Sequence, residues 1–180
     1  VFHKKHKTGF RWLHDNLGSN YRMTEMQAAI GREQLKSLDK QLKKRNLIAD
    51  LYLKGLKDYY LKYDILKKPD FNVQKYLLKK NNKYIHAFYR LNLFINRKTI
   101  KQNKLIQQFN KNKIDCGVGS CPEIYREKIF KKLKYLPKKR LSNARLLGET
   151  SIMFPINPYK KINKIKLEIN SIKKTLDKYL

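Results

Sequence analysis

The longest helical pattern in the chain starts at Thr24 and constrains everything after it. Thr24 and Gln27 form a capping box, in which a hydroxyl and an amide each satisfy an orphan backbone donor of the first turn. Met26, Ile30, Gln34, Leu38, Leu42, Arg45, Ala49 and Tyr52 then recur at spacings of three and four, and the pattern fades near Gly55. Ala28, Ala29 and Gly31 add a patch of small residues that lets another backbone come close. A helix this long reads as a bridge toward something outside the chain, with an apolar side that is exposed, and poorly soluble, if its partner is missing.

Three regions follow from that helix. Residues 1–23 read as an irregular segment rich in His and aromatics, 24–56 as a long connecting helix, and 57–180 as a small α/β domain. In the last region Tyr59-Tyr60 and Tyr63 to Leu66 supply a short strand, and Lys79 to Lys83 an exposed turn. The clearest strand runs from Tyr84 to Ile95. There Ile85, Ala87, Tyr89, Leu91, Leu93 and Ile95 alternate with a second, mixed face. A helix over 99–112 turns Ile100, Leu105, Ile106 and Phe109 inward, and a strand follows over 114–118. Ser120-Cys121-Pro122-Glu123 is a second capping box with Pro in the first turn, so another helix starts there. A short helix near 142–147 ends on Gly148 as its C-cap, and 151–156 reads as a strand. Ile162, Ile165, Ile169, Ile172, Leu176 and Tyr179 form the single apolar stripe of a final helix. Strands separated by helices predict an α/β layer domain: a mixed sheet with helices packed on it, preceded by the long helix.

Composition excludes several classes. With 180 residues, 41% hydrophobic and 12% aromatic, the chain can bury a core and is no disordered polyelectrolyte. No apolar run approaches the roughly 20 residues that span a bilayer, and the N-terminus has no signal-peptide pattern, so a cytoplasmic location is expected. The absence of an initial Met reads as trimming or an incomplete chain. The net charge of +29 would suit nucleic acid, but the lysines are spread along the whole chain between apolar anchors. That spread describes solvated faces better than one binding stripe.

Few residues carry chemistry. Cys116 and Cys121 lack further ligands for a metal and do not form a disulfide framework. Cys121 at a helix start could have a lowered pKa; a plain thiol is the simpler reading. His3, His6, His14 and His86 have no metal-ligand spacing backed by acids. There is no G-x-S-x-G elbow, P-loop or G-x-G-x-x-G. What stands out is Gly18-Ser19-Asn20-Tyr21-Arg22-Met23-Thr24. An amide, a phenol and a guanidinium directly ahead of a capped helix make an anion-binding corner. The simpler alternative is that Asn20 shapes the turn and Arg22 is a surface charge.

The stretch LGSNYRMTEMQAAIGREQLKSLD resembles the signature that opens the C-terminal part of DegT/DnrJ/StrS-type sugar aminotransferases. RWLHDN is similar to that family's lead-in, YIHAFYRLNLFI to its aromatic-rich strand, and ARLLGETSIMFPINP to its closing strand. The family's basic helix tail is matched by Lys43-Lys44-Arg45. The resemblance implies a fold-type-I homodimer, joined through its large domain. It implies a pyridoxal phosphate enzyme that moves an amino group from glutamate to a nucleotide-linked keto-deoxysugar for polysaccharide biosynthesis. This chain would be its small C-terminal domain. Asn20 matches the residue that reaches the cofactor phosphate of the other subunit. Arg22, Tyr21 and, more weakly, His14 match positions beside the substrate. The family's Schiff-base lysine, the pyridine-nitrogen Asp and the ring-stacking residue lie upstream of this signature and have no counterpart here, so the chain alone should not transaminate. Asn157 stands before Pro158 where relatives often carry His. The competing reading is a non-catalytic basic module that keeps the fold and binds nucleic acid or a sugar nucleotide.

Overall fold

The computed structural model describes residues 21–67, 85–96, 98–119 and 122–180. The expected turn at 79–83, together with His14, Asn20, Ser120 and Cys121, lies outside them. The chain divides into two units, residues 1–36 and 37–180, and helix α1 (Glu25–Gly55) runs from one into the other. In the first unit the side chains of Met26 and Ile30 are exposed. In the second, Ile48, Ala49 and Tyr52 of the same helix are buried.

After α1 come α2 (Lys57–Leu61), β1 (Leu66–Lys67) and β2 (Arg90–Ile95). Next are α3 (Gln102–Lys111), β3 (Gly117–Val118), a 3-10 turn at Ile124–Arg126, and α4 (Lys128–Lys132). The chain closes with α5 (Ser142–Thr150), β4 (Ser151–Pro155), α6 (Ile162–Leu176) and a 3-10 turn at Asp177–Tyr179. The strand order is β1-β2-β4-β3, and every described pairing is antiparallel. The expected mixed sheet is therefore corrected in its pairing. A strand–helix–strand order usually places two parallel strands side by side. Here β2 and β3 do run the same way across α3, but β4 returns between them and pairs antiparallel with both, a split β-α-β arrangement.

One face of the sheet carries the core. Leu91 and Leu93 of β2 sit opposite Phe154 and Ile152 of β4, and all four are buried. The Phe154 ring stacks on Tyr52 of α1 at 5.8 Å and meets Phe109 of α3 edge-on at 5.7 Å. Ile165, Ile169, Ile172 and Leu176 of α6 complete this layer, as their spacing requires. The Tyr52 hydroxyl, which burial would otherwise leave unsatisfied, donates to Glu168 Oε1 at 2.7 Å, and Glu168 is ion-paired with Lys160. The opposite face, with Arg90, Asn92 and Met153, is only partly covered.

Several local expectations fail for identifiable reasons. Tyr59 and Tyr60 lie in α2, and the short strand is reduced to Leu66–Lys67. β2 starts at Arg90 because Phe88 takes a left-handed backbone (φ 40), its N–H donating to His86 Nδ1 at 3.0 Å. That kink reverses the alternation: Phe88 is 1% exposed, whereas Ile85 and Tyr89 are both 65% exposed. Gly148 does not end α5, which continues to Thr150. Near its end the Ser151 N–H donates to the Leu147 carbonyl, and Gln102 Nε2 donates to the carbonyls of Gly148 (2.9 Å) and, just past the helix, Ser151 (2.5 Å). Glycine is required at 148 instead because a Cβ there would come within 2.4 Å of Pro122.

Because Phe154 joins two helices to the sheet, Phe154→Ala should destabilise the chain by roughly 3–5 kcal/mol. Denaturant unfolding measures this directly, and an unchanged midpoint would contradict the packing account.

Candidate functional site

The turn ahead of α1 is described from Tyr21 onward. Both capping-box bonds form: the Thr24 N–H donates to Gln27 Oε1 at 2.9 Å, and the Gln27 N–H donates to Thr24 Oγ1 at 3.3 Å. The helix therefore begins sharply, immediately after the turn. Tyr21 is 93% exposed and Arg22 is also in solvent. Among the described residues Arg22 has neither a carboxylate nor a hydrogen-bond acceptor. A free guanidinium beside a helix N-terminus, where the dipole also favours negative charge, is suited to an anion. Of the four residues expected at the site, the structure thus places Tyr21 and Arg22 outward and next to each other in the chain. Asn20 and His14 are outside the described residues.

The structure also assembles a set of residues that sequence spacing did not single out. Lys40, Lys43 and Lys44 of α1 line a cavity with Leu47, Pro158 and Tyr159. Arg45, Arg90 and Asp115 line a neighbouring cavity that shares Pro158 and Tyr159. The run Lys43-Lys44-Arg45 was visible in the sequence as a basic helix tail, but nothing local linked it to Tyr159. Asn157, the residue that departs from the family pattern, accepts the Tyr159 N–H on its Oδ1 at 2.9 Å and sets this loop.

A third cluster is structural. The Glu123 side chain is 11% exposed; its Oε1 and Oε2 accept from Arg140 Nε (2.8 Å) and Nη2 (2.7 Å), and Tyr125 and Arg126 also donate to it. Arg140 foremost, then Tyr125, holds this carboxyl at about 2, well below its ordinary 4.5. Glu123 thus ties the Ile124–Arg126 turn to the segment before α5 and is not available as an acid or base. Burial pushes the Cys116 thiol up to about 12, so it is not a nucleophile at neutral pH. Among the described residues no group of three His, Cys, Asp or Glu could hold a metal ion, and no helix is long and apolar enough to cross a membrane.

In fold, the chain is similar to an aminotransferase from Psychrobacter cryohalolentis, with a TM-score of 0.80 and 30% identity, over 99% of this chain and 45% of that one. It is also similar to the GDP-4-keto-6-deoxy-D-mannose-3-dehydratase of Escherichia coli solved with bound hydrated PLP. There the TM-score is 0.68 and identity 18%, over 91% of this chain and 38% of that one, a likeness of fold alone. An uncharacterized protein of Methanocaldococcus jannaschii is 27% identical over 173 residues, which is 95% of this chain and 42% of that protein. The architecture is that of an aminotransferase-type α/β enzyme, over less than half the length of these relatives. Residues 2–172 match the DegT/DnrJ/EryC1/StrS aminotransferase family, and the chain belongs to it.

The Glu123 clamp has a signed pH dependence. Its folded pKa is depressed, so its stabilising effect is present above about 4.5 and is lost as pH falls toward about 2. Glu123→Gln should lower the unfolding midpoint at pH 7, and the gap from wild type should close near pH 2. A gap of equal size at both pH values would remove the clamp from the account.

Proposed function

We propose that this chain is the C-terminal portion of a pyridoxal-phosphate-dependent enzyme of nucleotide-sugar metabolism. The enzyme would transfer an amino group from glutamate to a keto-deoxysugar linked to a nucleotide, for polysaccharide biosynthesis. The observation that carries the reading is the outward turn at Tyr21–Thr24: it leads into a helix capped on both sides of its box, in a chain belonging to this aminotransferase family. Family membership supports the cofactor, and the Escherichia coli neighbour, whose name is that of a GDP-linked keto-deoxysugar dehydratase, is an example of the substrate class proposed.

The cofactor, when bound, supplies the electron sink for breaking bonds at the amino carbon. The residues of this chain bind and orient. The Asn20 amide would donate to the cofactor phosphate of a partner subunit, in a homodimer held through the large domain. Arg22 would hold a phosphate or carboxylate as a bidentate donor, with Tyr21 and His14 at the mouth of the site. A neutral amide and a solvent-facing guanidinium suit a phosphate dianion, and no carboxylate among the described residues competes for Arg22. None of the many lysines in this chain stands in the sequence context that the family uses to bind the cofactor covalently.

Two outcomes follow. In the enzyme reconstituted with its lysine-bearing part, Asn20→Ala should weaken cofactor retention by about 1.5–3 kcal/mol, the worth of one hydrogen bond to a charged group. An unchanged cofactor titration would refute the role of Asn20. The 180-residue chain by itself, mixed with pyridoxal phosphate and treated with borohydride, should show no site-specific lysine adduct by peptide mass mapping. One stoichiometric adduct at a single lysine would show that this chain carries its own catalytic residue.

A further inference from the structure

The backbone that enters β2 is held by one imidazole. Phe88 is left-handed (φ 40), a region that a bulky side chain occupies only against a steric cost. Its ring is 1% exposed, so the kink is part of the packed structure. The Phe88 N–H donates to His86 Nδ1 at 3.0 Å, closing a turn between a side chain and the backbone two residues on. The two rings lie 4.2 Å apart, centroid to centroid.

Both flanks of this turn are tied to other elements. Asn46 of α1 donates from Nδ2 to the His86 carbonyl at 2.9 Å and to the Leu42 carbonyl of its own helix at 2.8 Å. On the far side the Ile156 N–H donates to the Tyr89 carbonyl at 3.4 Å, and Arg90 pairs with Pro155 of β4. With its ends fixed, the segment between them depends on the bond at Nδ1. An imidazole nitrogen accepts only while it carries no proton, so the bond requires a neutral ring protonated on Nε2. A proton on Nδ1 turns the acceptor into a donor and sets two N–H groups against each other. The Phe88 ring attracts an imidazolium but offers no acceptor to the stranded N–H.

The surroundings point the same way. Burial lowers the His86 pKa from its ordinary value, favouring the form that accepts. From α1 the charged neighbours of Asn46 are Lys43, Arg45 and Asp50, and Asp50 is ion-paired with Lys54 at 2.7 Å. From β2 comes Arg90, whose guanidinium lies over the Tyr89 ring at 5.0 Å, and the residues of β4 are uncharged. Asp115 lines one cavity with Arg45, Tyr89 and Arg90. We propose that His86 is a proton-operated latch: the neutral imidazole holds the left-handed turn at Phe88, and protonation releases the start of β2. The inference goes beyond the aminotransferase reading and uses no residue assigned to cofactor or substrate. The folded pKa is the lower one, so the latch stabilises fully above the ordinary 6.5 and is lost as pH falls through the folded value.

Amide hydrogen exchange of the 180-residue chain, followed by NMR from about pH 7.5 down to about pH 5, tests the proposal. Corrected for its intrinsic rate, the Phe88 amide should lose roughly three- to tenfold of its protection as His86 takes up a proton. The Ile169 amide, in the interior of α6, should keep its protection over the same range. His86→Asn retains an acceptor for the N–H two residues on, so its Phe88 amide should stay protected throughout. His86→Ala should lack that protection at every pH. A flat Phe88 profile in the wild-type chain would overturn the latch, as would the same loss in His86→Asn. So would an equal loss at Ile169, which reports unfolding of the whole domain. None of these outcomes touches the aminotransferase reading, which stands on Asn20 and cofactor retention.

Discussion

Phe154 is the point where sheet and helices are joined. It lies in β4, the strand that separates β2 from β3, and its ring is held by Tyr52 from α1 and Phe109 from α3. Aromatic pairs at 5.7–5.8 Å combine large buried area with a preferred ring geometry, so each contact fixes orientation as well as distance. With Leu91 and Leu93 across the strand pair, this draws α1, α3 and α6 to one face of the sheet. The other face keeps polar and cationic side chains, Arg90 among them.

The two units treat α1 differently. Beyond Ser37 the helix is anchored through Ile48, Ala49 and Tyr52. Up to Lys36 its apolar side chains Met26 and Ile30 remain in solvent, and Gly31 has nothing within 4 Å of where a Cβ would stand. This capped helix end leaves apolar side chains in water beside Arg22, which has no carboxylate partner among the described residues. That agrees with a chain that spans less than half the length of the relatives it matches.

Charge in this protein does two separate jobs. Two carboxylates are committed within the fold: Glu123 to Arg140, and Glu168 to the Tyr52 hydroxyl and Lys160. These pairs satisfy groups that packing has taken out of water, and they lock segments far apart in sequence. With so few acids against a net charge of +29, most lysines go unmatched. Usually that means only a solvated surface. Lys40, Lys43 and Lys44, which have no ion-pair partner among the described residues, line one cavity with Tyr159.

Short-range physics was legible in the sequence. The Thr24–Gln27 box forms both its bonds, and the stripe from Ile165 to Leu176 is buried as spaced. The NYRMT turn identified the family and with it the aminotransferase fold. Each of these depends on residues within a few positions of one another, where helix geometry leaves no choice. Tertiary structure alone decided that β4 enters between β2 and β3, that Phe88 turns left-handed and reverses the alternation, and that Gln102 bonds the Gly148 carbonyl of α5. It also decided that Tyr159 faces the lysines of α1. Strand pairing and cavity walls are set by which distant side chains fill the same volume, and no local periodicity records that.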